Sequence, residues 1–148
     1  MLKGKLKSLY HQRIVIDSSV LVKAFKNEEE SGLVRAILKM GSRKEVSILA
    51  PSLLAYEFLN VITRGIHEIS EVDEILSRFK KMGIGILPLE GGAMSKAIKY
   101  CCENPKLSFY DATYHAMAKE MNGIFLTADE KYYNSEKNRG NIKLLSHI

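Results

Sequence analysis

The chain is 148 residues long and 46% apolar, enough to bury one sizeable core, so a single domain over residues 1–148 is expected. Its 22 Lys and Arg against 17 Asp and Glu leave a formal charge of +5, compatible with a nucleic-acid partner but not diagnostic of one. No run approaches the roughly 18 apolar residues of a membrane helix, and "MLKGKLKSLYHQR" lacks the apolar stretch of a secretory signal, so a cytoplasmic protein with no membrane partner is expected.

Residues 1–12 form a basic N-terminal extension and read as a loose segment. "RIVID" (13–17) is a β-branched run ending on an acid, and "SSVLVKAF" follows with helical spacing at Val20, Leu21, Ala24 and Phe25. This is a strand handing over to a helix. A second helix is expected from Glu29 to Met40, with a stop at Gly41, before the strand "EVSILA". Pro51 suits the first turn of a helix running to about Arg64. Inside it, "LLAYEFLNVI" (53–62) places Glu57 among apolar neighbours, where an unpaired buried carboxylate is costly. Either Glu57 shares a wet stripe with Asn60 and Arg64, at i+3 and i+7, or it has chemistry to perform.

"SEVDEILSRFKKMG" reads as a surface helix with Ser70 as cap, acids in its first turn, lysines in its last and Gly83 past its end. "IGILPLE" is a third strand, and "GGAMSKAIKYCCE" a helix that packs the adjacent Cys101 and Cys102 into the core. "LSFYDATYHAMAKEMNG" is expected to run from an N-cap at Ser108 to a C-cap at Gly123, leading into the strand "IFLT". "NSEKNRGN" (134–141) reads as a loose loop and "NIKLLSHI" as the last strand. Strands separated by helices predict a three-layer α/β/α fold with a mainly parallel central sheet.

The adjacent cysteines and the single histidines His11, His67, His115 and His147 have no ligand spacing, which argues against a nitrogen- or sulfur-bound metal. The acids are better placed. Asp17 ends the first strand, Glu57 lies in the second turn of the helix after the second strand, Asp111 lies in the first turn opened by Ser108, and Asp129 follows "IFLT" by two residues. Ligands of open parallel sheets bind outside the carboxyl ends of the strands, so these four carboxylates can converge there. Simpler roles exist for three of them. Asp17 and Asp129 suit helix caps, and Ser108 with Asp111 fits a capping box, but capping leaves Glu57 unexplained. Like charges about 4 Å apart repel by roughly 4 kcal/mol at an effective dielectric of about 20, so a cation between them is expected. Oxygen-only ligands select hard ions, Mg²⁺ or Mn²⁺. Setting those four aside leaves 13 of the 17 acids against 22 basic residues, a surround suited to an RNA substrate. A phosphoryl-transfer domain fits less well, because Ser19 stands where a haloacid-dehalogenase-like phosphatase carries a second Asp and no G-x-x-x-x-G-K-[ST] loop is present.

"IVIDSSVLVKAF", "APSLLAYEFLNVI" and "LSFYDATYHAMAKEMNGIFLTADEKYY" together resemble the PIN domain family, and within it the VapC-type toxins of toxin–antitoxin pairs. The resemblance implies a Mg²⁺- or Mn²⁺-dependent ribonuclease with Asp17, Glu57, Asp111 and Asp129 as its acidic metal site. It makes Ser19 and Thr127 candidate hydroxyls for positioning a ligand, with local capping as their other role. It also implies a homodimer inhibited by a small antitoxin protein entering the active-site groove. The chain departs from the pattern in carrying "MLKGKLKSLYHQR" ahead of the first strand, read as an RNA-contacting arm or a loose tail. The competing expectations are a non-catalytic RNA- or protein-binding module and an RNA-processing nuclease that is not a toxin.

Overall fold

The computed structural model describes residues 2–65 and 68–148, so His67 lies outside it. Helix α1 (Leu2–Lys5) and a 3₁₀ turn (Leu6–Leu9) precede strand β1 (Arg13–Ile16). Helix α2 (Ser18–Leu21) continues into a 3₁₀ turn (Val22–Phe25), followed by α3 (Ser31–Ser42), β2 (Ser47–Pro51) and α4 (Leu53–Ile62) with a 3₁₀ extension (Thr63–Gly65). Then come α5 (Ser70–Lys81), β3 (Gly85–Leu87), α6 (Gly91–Glu103), α7 (Phe109–Glu120), β4 (Ile124–Thr127), α8 (Glu130–Glu136) and β5 (Ile142–Leu144).

All five strands pair in parallel, in the order β3-β2-β1-β4-β5, and helices cover both faces to give three α/β/α layers. A parallel sheet covered on both faces needs strands that are apolar on both sides. β1 meets that demand: Ile14, Val15 and Ile16 are each at most 1% exposed. Val15 pairs with Leu49 on one side and Phe125 on the other. The chain builds outward from β1 in one direction through β2 and β3, then returns to its other side with β4. The resulting switch point opens a crevice at the carboxyl ends of β1 and β4.

Helix α7 lies across β1, β2 and β4, and α6 packs on α7 through the small residues Ala97, Ala112 and Ala116. On α4, Phe58 is fully buried between Phe25 and Phe79, with ring centroids 4.8 and 5.3 Å away. The face of α4 that carries Glu57 is fixed by that anchor.

Several expectations need correction. The N-terminal segment is not loose where it is described: Leu6 and Leu9, one 3₁₀ turn apart, are buried in the core, and the His11 N–H donates to the Glu45 carbonyl at 2.8 Å. Residues 134–141 are ordered by a polar network rather than left as a loop. Glu136, only 3% exposed, accepts from the Asn104 amide at 2.7 Å and pairs with Arg139, which also pairs with Glu103. Helix α3 runs through Gly41, because what the glycine provides is contact: a Cβ there would meet Ile48 Cδ1 at 2.6 Å. Pro51 ends β2 instead of opening α4, at a strand end where a missing N–H costs little. Ser70 is the first residue of α5 rather than its cap, and Cys102 is exposed while Cys101 is half-buried. At the end of α7, Asn122 takes the left-handed conformation (φ 51°) expected of Gly123. Gly123 instead allows β4 to approach β1, since a Cβ would lie 2.5 Å from the Arg13 carbonyl oxygen.

Because Leu9 is wholly buried, Leu9→Ala should lower unfolding stability by about 2–5 kcal/mol, read from urea midpoints at unchanged slope. A loss below about 0.5 kcal/mol would mean that the segment is not part of the core.

Candidate active site

Asp17 follows β1 in extended conformation and caps α2, accepting from the Val20 N–H at 3.1 Å. The same oxygen, Oδ1, accepts from the Ser19 hydroxyl at 2.5 Å, and Oδ2 accepts from the Thr127 hydroxyl at 2.6 Å. Both hydroxyls are used twice. Ser19 Oγ accepts from the Ala128 N–H at 3.0 Å, and Thr127 Oγ1 accepts from the Asp129 N–H at 3.1 Å. The end of β1 is thereby stitched to the loop after β4 through the carboxylate of Asp17. Ser19 and Thr127 both hold the Asp17 carboxylate, and the bonds they make join segments about 110 residues apart.

Glu57 does not belong to a wet stripe. Asn60 and Arg64 are exposed, whereas Glu57 is half-buried, and its Oε2 accepts from the Tyr114 hydroxyl at 2.6 Å and the Ser18 hydroxyl at 3.3 Å. Tyr114 and Ser18 did not emerge from the sequence. Tyr114 had a usable signal: it lies three residues after Asp111, on the same face of α7.

Asp111 projects from the first turn of α7, but the expected capping box does not form. Ser108 Oγ accepts from the Tyr110 N–H at 3.2 Å, and Asp111 makes no hydrogen bond among the described residues. Asp129 caps α8 by accepting from the Tyr132 N–H at 2.9 Å through Oδ1. Asp111 and Asp129 share a cleft of about 360 Å³.

Residues 14–138 of the chain match the PIN domain family. The chain belongs to that family. Solved structures agree in fold at low identity. A toxin–antitoxin complex from Klebsiella pneumoniae superposes with a TM-score of 0.65 at 13% identity, covering 89% of this chain and 97% of the other. VapBC2 from Rickettsia felis, bound to a DNA fragment from its promoter, gives 0.66 at 14%, covering 89% and 96%. VapC20 from Mycobacterium tuberculosis, a sarcin-ricin-loop-cleaving toxin, gives 0.60 at 13%, covering 82% and 94%. A comparison with curated proteins gives no match.

The electrostatics of this PIN domain's acids are unbalanced. Among the described residues, none of Asp17, Glu57, Asp111 and Asp129 pairs with a Lys, Arg or His. Burial pushes the Asp17 carboxyl up to about 6, against its three hydrogen bonds, and the charge of Asp111 acts in the same direction. Asp111 is raised by burial and then by the charges of Glu57 and Asp129. Burial and the Glu57 carboxylate hold the Tyr114 phenol protonated, which fixes it as a donor to Glu57. As the side chains stand, no three described carboxylate, imidazole or thiol groups converge closely enough to grip one ion. The donor set itself fits a hard divalent cation: oxygens alone, mutually repelling, with no protein cation between them.

The sign of the Asp17 shift gives a test in metal-free protein. With its folded value above the ordinary 3.8, the native state holds a proton that the unfolded chain has lost between pH 4 and 6. Stability contributed by this group therefore falls as pH rises through that window, by about 3 kcal/mol in all. In EDTA, Asp17→Asn should lose less stability than the wild type between pH 4.5 and 7.5 in urea unfolding. Parallel pH profiles for the two proteins would contradict the buried, unneutralised charge.

Proposed function

We propose that this PIN domain is a Mg²⁺- or Mn²⁺-dependent ribonuclease that hydrolyses RNA phosphodiesters, acting as the toxin of a toxin–antitoxin pair. The reading is supported by four carboxylates that have no cationic partner among the described residues, with Asp111 near enough to Asp17, Glu57 and Asp129 for their charges to act on one another. Structural bracing alone would leave that charge uncompensated.

Asp17 and Asp111 are the principal ligands in this reading, with Asp129 completing the site or serving a second ion. A bound Mg²⁺ or Mn²⁺ supplies Lewis acidity at the phosphodiester and lowers the pKa of water at neutral pH. The chain's own part is orientation. Ser19 and the Val20 N–H occupy Oδ1 of Asp17 and Thr127 occupies one side of Oδ2, which leaves the other side of Oδ2 for the crevice. Tyr114 and Ser18 hold Glu57 Oε2, which leaves Oε1 to bind the ion or to orient the attacking water. Water adds to phosphorus, the bond from phosphorus to one ribose oxygen breaks, and that oxygen takes a proton.

The toxin assignment and the small antitoxin protein are supported by the toxin–antitoxin complexes that share the fold, and the homodimer by the resemblance to VapC-type toxins alone. The reading places the protein in the cytoplasm. No helix among the described residues is long and apolar enough to cross a membrane.

A structured RNA incubated with purified protein should be cut in Mg²⁺ or Mn²⁺ and spared in EDTA. Asp111→Asn should lower the rate on the order of 100-fold or more with an unchanged circular dichroism spectrum. Full activity of the variant, or cleavage in EDTA, would sink the assignment.

A further inference from the structure

The cleft shared by Asp111 and Asp129 has a second feature that the acids do not explain. Lys106 and Lys131 line it from two separate segments, the turn between α6 and α7 and the first turn of α8. Both are exposed, and among the described residues neither pairs with an acid. Surface pairing of lysine with acid is weak, and these two ammonium groups, unspent on the acids beside them, leave positive charge available to an anion at the cleft.

The segments carrying them are also braced against each other. Asn104 Oδ1 accepts from the Lys106 N–H at 3.2 Å, which fixes the turn, while Asn104 Nδ2 donates to Glu136 at 2.7 Å and Ser135 at 3.0 Å near the end of α8. Arg139 then ties Glu136 to Glu103 on α6. The network ties the Lys106 turn to the end of α8 without using either lysine's charge.

We propose that this cleft is the track of the RNA backbone beside the cleaved bond, with Lys106 and Lys131 holding a phosphate next to the one attacked. This deepens the ribonuclease reading and rests on it for the position of the cleaved bond. Holding an adjacent phosphate recovers the binding that the acidic crevice would otherwise repel, and it fixes the register of the strand over Asp111.

The test is fluorescence anisotropy of a labelled single-stranded RNA of about 12 nucleotides, with Ca²⁺ replacing Mg²⁺, across a salt series. Lys106→Ala/Lys131→Ala should bind roughly tenfold more weakly, and its log-log salt slope should be shallower by about 0.7, the value for one phosphate contact. Lys106→Arg/Lys131→Arg should restore both. Lys80→Ala/Lys81→Ala, which removes the same charge from α5, should behave as the wild type. Equal loss in both Ala pairs would mean that only net charge matters and would overturn the proposal, as would unchanged binding or none. Lysine-dependent binding by a protein that cuts no RNA in Mg²⁺ would leave the track standing and refute the ribonuclease reading alone.

Discussion

The carboxylate of Asp17 is the joint on which the site depends. It sits buried where β1 ends, and two hydroxyls and one amide hold it. Each hydroxyl passes the connection onward to an amide beyond β4, so a single ionised side chain locks together the two strands that flank the switch point. The arrangement stabilises the ion through charge-assisted hydrogen bonds, yet burial still holds its proton affinity well above that of an exposed Asp. An amide of the same shape would avoid the cost of the buried charge but would turn an NH₂ toward one of the three donors. Retaining a charge here is intelligible if something positive is to sit beside it.

Helix α7 is the second determinant. It carries Asp111 and Tyr114 three residues apart, so one face delivers a carboxylate to the crevice and a phenol to Glu57 on α4. Tyr114 stacks on Phe125 of β4, with centroids 6.0 Å apart, and this packing fixes the height of the helix over the sheet. Further along, His115 is fully buried. Its Nε2 donates to the Gly140 carbonyl at 2.7 Å, and its Nδ1 therefore accepts from the Tyr132 hydroxyl at 3.1 Å. Burial lowers its proton affinity, in keeping with this neutral role. The contacts join α7 to the helix that Asp129 caps, so this buried packing fixes Asp111 and Asp129 relative to each other.

Much of this was legible in the sequence because local rules and the global fold agree. Alternation of short apolar runs with amphipathic segments gave the layers and the parallel sheet, and α6 and β4 have the bounds that their quoted segments imply. Asp17 and Asp129 stand just after strands, and Asp111 and Glu57 in the first and second turns of their helices, as the quoted segments imply. The misreadings share one physical origin: they concern residues whose role lies in a distant contact. Gly41 and Gly123 resembled helix stops but serve close approaches to Ile48 and Arg13. Leu6 and Leu9 looked like part of a basic tail until a core was there to receive them. The polar run around Glu136 looked loose because its partners, Asn104 and Glu103, lie about 30 residues upstream. Tyr114 was invisible as a partner of Glu57 for the same reason, since 57 residues separate them.

The central claim is that the four unpaired carboxylates take a divalent cation. Crystals soaked in Mn²⁺ and measured near the manganese absorption edge would test it most directly. The account predicts an anomalous peak bounded by Asp17 and Asp111, with Glu57 or Asp129 completing the oxygen shell at about 2.1–2.3 Å. An empty crevice at millimolar Mn²⁺, with Asp17 protonated or its charge met by a protein cation, would contradict it.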